Sequence, residues 1–90
     1  MRIYGFQITP GSDDQLGYCE SVATVYSVAL EHRREIKRTA APDRFDPTAV
    51  YEVELAEVTA ETLVAVLNAR ESVSEVLVLS KRLLGLVTED

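Results

Sequence analysis

The chain has no tryptophan, one histidine, one cysteine and one methionine among its 90 residues. Cys19 therefore has no mate for an internal disulfide, and a small domain without bridges must hold by apolar burial in a reducing compartment, here expected to be the cytoplasm. Beside Tyr18 and Glu20, with no histidine near it, Cys19 reads as a structural thiol rather than a nucleophile. His32 has no cysteine or second histidine nearby in sequence to complete a metal site, so no metal and no cofactor is expected. Long apolar runs are absent too: Val76 to Leu79 falls far short of the roughly 20 residues that cross a bilayer. The first ten residues hold one cation, Arg2, and an apolar stretch broken by Gly5, Gln7 and Thr9, which is no secretory signal. Gly11-Ser12 lacks the glycine spacing and the lysine of a phosphate loop.

What is present is ordinary globular composition, 47% apolar and 27% charged. Ninety residues make one domain, small enough that burial is marginal. The net charge of −6 is unevenly spread along the chain. Glu31 to Arg44 holds five cations against three acids, a net +2, whereas the remainder holds four cations against twelve acids, a net −8. An overall negative field repels nucleic acid and still allows a local basic face to meet an acidic protein.

Ile3, Tyr4, Phe6 and Ile8 before Pro10-Gly11 predict a first strand over Met1 to Thr9, followed by a polar loop with solvated Asp13 and Asp14. At about 100° per residue, Val22, Val25, Val28, Ala29, His32, Ile36, Thr39 and Ala40 fall on one arc of a helix. Its start has two readings, because Val22, Thr24, Val25 and Tyr26 also suit a strand; an extended segment before Tyr26 is preferred, with Ser27 as N-cap and helix from Val28 to Thr39. Tyr51, Val53 and Leu55 alternate with Glu52, Glu54 and Ala56, predicting a strand over Ala49 to Glu57 whose glutamates meet water. Thr59 caps a helix of about ten residues with Leu63, Val64 and Leu67 on one side and Asn68 as terminator. For residues 73 to 87 a helix keeps apolar spacing and a Ser72/Glu75 capping box, but the run Val76-Leu77-Val78-Leu79 favours a central strand, with an edge strand from Leu83 to Val87. The class expected is α+β: a small, mostly antiparallel sheet with two helices packed on one face.

Among candidate functional residues, the cluster Arg33, Arg34, Lys37 and Arg38 stands out. Its spacing of one, three and four residues places it on a solvent face, where guanidinium groups grip carboxylates. His32 lies on the apolar arc and reads as a core-edge imidazole held by a backbone carbonyl. Glu52 and Glu54, about 7 Å apart on one strand face, resemble a carboxylate pair but alternate as any half-exposed strand does. The four tyrosines read as core-edge packing. The function expected is a non-enzymatic protein-interaction or regulatory module that binds a protein with an acidic surface through Arg33, Arg34, Lys37 and Arg38, or binds protein through an exposed sheet edge, with a homodimer as one form it can take. Two alternatives are an acidic inhibitor that mimics nucleic acid and a small ligand-binding or enzymatic domain built on His32 or Cys19. Nucleic acid and membrane are not expected as partners.

Overall fold

A computed structural model describes residues 1–40, 45–68 and 77–88. The elements are β1 (Arg2–Gln7), β2 (Leu16–Cys19), α1 (Val22–Ala40), β3 (Thr48–Leu55), α2 (Ala60–Leu67) and β4 (Val78–Val87). The strands form one antiparallel sheet in the order β2-β1-β3-β4, an α+β fold as the composition and patterning predict.

The β1–β2 hairpin turns at Gly11, whose φ of 87° suits a residue without Cβ. Buried Gln7 ties this turn to the sheet: its Oε1 accepts from the amides of Gly11 and Ala49, each at 2.9 Å. Gly17 makes room for a core ring, since a Cβ there would stand 2.6 Å from Phe6 Cε1.

α1 begins six residues earlier than Ser27 predicts. Ser21 is the effective cap, accepting from Thr24 N at 3.1 Å, and the extended segment is Leu16–Cys19 instead. Local β propensity at Val22 to Tyr26 loses because a helical turn there drives Val25 wholly into the core, and full burial of a valine is worth about 1.5–3 kcal/mol. The buried stripe of α1 is Val25, Ala29 and Arg33, at i, i+4 and i+8. Relative to the arc drawn on the sequence, it is turned by roughly 40° toward Tyr26 and Leu30. Val22 and Val28 are left exposed, and Arg33 is carried inward.

The main core lies between α1 and one face of the sheet, formed by Phe6, Val25, Ala29, Val50 and Val87 with Tyr4, Ile8, Cys19, Tyr26, Leu30 and Leu84 around it. Register puts Phe6 opposite Val50 and Tyr4 opposite Glu52, so Glu52 and Glu54 share the α1 side of the sheet. The alternation predicted for β3 is correct, but Tyr51, Val53 and Leu55 point to the second face, away from α1. There Val53 is only 1% exposed. β3 is central, and its first half fills the α1 side through Thr48 and Val50, while its middle fills the other through Val53.

α2 stands at the end of the β3–β4 pair, where Ala56 N donates to Leu77 O at 2.8 Å. Thr59 caps it as predicted, in a reciprocal box with Thr62, and Asn68 ends it. None of its eight residues is buried. Residues 78 to 87 form one strand at the sheet margin rather than a central strand and a separate edge. Its pairing with β3 shifts register twice, near Val50/Tyr51 and near Glu54/Leu55. The helix-or-strand question for residues 73 to 76 falls outside the described residues.

Candidate functional site

The four cations of α1 do not form one surface. Arg33 is 2% exposed, a correction to its expected solvent position. Its Nη1 donates to Asp46 O at 2.5 Å and to Thr48 Oγ1 at 3.1 Å, and its guanidinium lies 4.0 Å from the centre of the Phe45 ring. This residue clamps the C-terminal half of α1 to the entry of β3. Arg34 faces Glu31 at 3.8 Å one turn back, and Arg38 pairs with Glu35 in the same way. Lys37 is exposed and makes no ion pair with a described residue. Such i,i+3 pairs on a helix surface contribute only about 0.2–0.5 kcal/mol each, but they occupy the guanidinium groups locally.

His32 takes the position its place on the apolar arc predicts. Its Nε2 lies 2.7 Å from Ile8 O, and since a carbonyl only accepts, the proton sits on Nε2. The ring meets Phe6 edge-on at 5.7 Å. Cys19 is half-buried against the core, and desolvation, with Glu20 adding to it, pushes its thiol above the ordinary range. A raised thiol pKa leaves less thiolate at neutral pH, which disfavours nucleophilic use.

The second face of the sheet holds a polar cluster that sequence patterning missed. Asp13, read as a solvated loop acid, folds back over it. Its Oδ1 accepts from Gln7 Nε2 at 2.7 Å and from the Tyr51 hydroxyl at 2.6 Å, and its Oδ2 faces Lys81 Nζ at 3.3 Å. Lys81 also lies 4.5 Å from the centre of the Tyr51 ring. Beside this cluster is an open groove lined by Asp13, Asp14, Leu16, Tyr18, Val53, Val78 and Lys81. The hydrogen bond from Tyr51 holds Asp13 below the usual carboxylate range, aided by Gln7 and Lys81. The same bond to a carboxylate pushes Tyr51 up to about 12. Each member of the pair is moved away from neutrality, the opposite of what general acid–base chemistry near pH 7 requires.

Glu52 and Glu54 belong to an ion-pair ladder across three strands. Arg2 lies 3.7 Å from Glu52 and 3.1 Å from Glu54, and Arg82 lies 3.0 Å from Glu52. The amino terminus adds a contact to Glu54 at 3.4 Å. Carboxylates neutralised in this way do not form a phosphate-like row. Among the described residues, no three or more His, Cys, Asp or Glu side chains are grouped to hold a metal. No described helix is long and apolar enough to cross a membrane.

Large apolar side chains are also exposed, on β4 at Leu79, Leu83 and Leu86 and on α2. In α2, Leu63, Val64 and Leu67 are 48%, 54% and 74% exposed, and Val58 just before it and Leu79 at the start of β4 are exposed as well. Glu61 is the helix's only charge. A groove of ≈ 210 Å³ runs along it, lined by Val58, Thr62, Leu63, Val66 and Leu77. The sequence signal was available: five consecutive apolar residues, Leu63 to Leu67, give a helix without a polar face, and such helices are normally covered on all sides. Comparison with known protein families, with curated proteins and with solved structures returns no match.

Proposed function

We propose that the chain is a non-enzymatic protein-interaction module that binds through the apolar surface of α2 and Val58. The observation that carries this reading is a helix with one charge and no buried residue. Isolated helices shorter than about 12–15 residues are marginal in water, and α2 has eight, so an external surface is its natural source of stability. Exposed apolar patches on soluble domains mark interaction sites. The arginine face of α1 has less to offer a partner, because Arg33 is internal and Arg34 and Arg38 already hold glutamates. The partner surface is accordingly apolar rather than acidic.

A photo-crosslinking residue placed at Leu67 or, separately, at Lys37 in the native host tests the choice. Adducts are expected from position 67 and not from 37, and they should persist in high salt, where Coulombic docking is screened. Adducts from 37 alone, or from neither position, would overturn the proposal.

A further inference from the structure

Resting on the reading of α2 as the binding surface, we infer that its partner is α2 of a second copy. The two helices lie antiparallel across a two-fold axis, with Leu67 of each seated in the groove of the other. Area is the first support. A compact monomer of 10.0 kDa exposes about 5,200 Å². This chain exposes 6124 Å² over its whole surface, roughly 900 Å² more, which leaves area to cover at about 800 Å² per partner of a standard interface. Its radius of gyration, 15.0 Å, likewise exceeds the roughly 12 Å of a compact 90-residue domain.

Shape is the second support. The most exposed of the large apolar side chains of α2, Leu67, stands one helical turn beyond Leu63 at the groove. A groove of ≈ 210 Å³ accommodates an isobutyl group, given that a cavity of about 150 Å³ holds benzene. Knob and hole on the same patch make it self-complementary, as a two-fold interface requires. Charge fixes the direction. With the crossing point near Ala65, antiparallel packing sets the two Glu61 side chains about 12 Å apart along the axis, beyond the roughly 10 Å screening length, whereas parallel packing would bring them together.

Pairing through the β4 edge is the competing mode for a second copy. Lys81 and Arg82 at mid-strand and the two register shifts oppose it, since charges and bulges blunt a strand edge.

Sedimentation of the full chain at about 50 μM should give about 20 kDa, twice the 10.0 kDa of one chain. Leu63→Glu or Leu67→Glu should raise the dissociation constant at least about 30-fold, the factor for a hot-spot residue, with an unchanged far-UV spectrum. Amide exchange on the unmodified chain at 2 μM and 200 μM gives a second measurement, with protection of 60–67 expected to rise with concentration and α1 amides unaffected. A monomer at 200 μM, or a dimer without that gain in α2, overturns the inference. If the monomer still crosslinks another protein from Leu67, the interaction reading stands and only the second copy is lost; if it crosslinks nothing, both fail.

Discussion

Replacing Arg33 by alanine should destabilise the fold by about 3 kcal/mol, whereas the same change at Arg34 should cost less than about 0.5 kcal/mol. The estimate is built from the contacts of Arg33. Its guanidinium donates to Asp46 O and to Thr48 Oγ1, and hydrogen bonds to charged groups contribute about 1.5–3 kcal/mol each. Thr48 is fully buried, so its hydroxyl cannot recover the lost partner from water. Stacking on Phe45 adds about 0.5–2 kcal/mol. Against these stand the roughly 2 kcal/mol of side-chain entropy released by truncation and the desolvation that a buried cation no longer suffers. A 90-residue domain has about 5–13 kcal/mol in total, so the loss is severe. With an m value near 1 kcal/mol/M, the urea midpoint should fall by about 3 M. Arg33→Lys keeps the charge but not the planar fork, and should fall between. Protein concentration is held fixed, because the proposed self-association would contribute to apparent stability. Equal midpoints for Arg33→Ala and Arg34→Ala would refute the internal clamp.

The Asp13–Tyr51 bond makes a pH prediction. Because the Tyr51 pKa is raised from 10.0 to about 12 in the fold, its stabilisation is complete below pH 10 and is lost as pH rises toward 12. Asp13 is depressed, so its contribution is present above its ordinary 3.8 and disappears as pH falls through the folded value. In a rapid pH jump followed by tyrosinate absorbance, one of the four tyrosines should ionise near 12, and Asp13→Asn should return it toward 10; four tyrosines titrating together would reject the bond. Gly17→Ala should cost about 1–3 kcal/mol, because the new methyl meets the Phe6 ring at 2.6 Å in the core. A urea midpoint unchanged by that substitution would show that the ring can yield.

The patterns legible in the sequence are those that close locally. The β3 alternation, the Thr59 cap and the place of His32 on the apolar arc each depend on a few adjacent residues, and each is present. Features set by distant partners were not legible. The wheel gives an apolar arc but not which edge of it the sheet will press. Tyr26 and Leu30 drew contact to their side, and Arg33 followed because Asp46 and Thr48 could receive it. Asp13 looked solvated because its three donors come from Gln7, Tyr51 and Lys81, up to 68 residues away. β4 resembled a central strand because Val78 and Leu79 are apolar on both faces. Lys81 and Arg82 are the residues that mark it as an edge.

Folding pairs many of the charged side chains while leaving the net charge at −6. Arg2 and Arg82 are spent on Glu52 and Glu54, Lys81 on Asp13, and Arg34 and Arg38 on their own helix, while Arg33 is enclosed. A basic segment of net +2 in sequence therefore presents a mixed helix face, and on β3 the two glutamates are paired with Arg2 and Arg82. Exposed pairs of this kind add little to stability, with a median of about 0–1 kcal/mol, but they leave fewer unpaired guanidinium groups for a charged partner to grip. Apolar exposure has no such internal remedy. Leucine and valine side chains left in water on α2 can be satisfied only by another surface, at about 25 cal/mol per Å² covered. On the proposed reading, specificity lies in the shape of α2 and its groove, and among the arginines Arg33 is the one that fastens the fold.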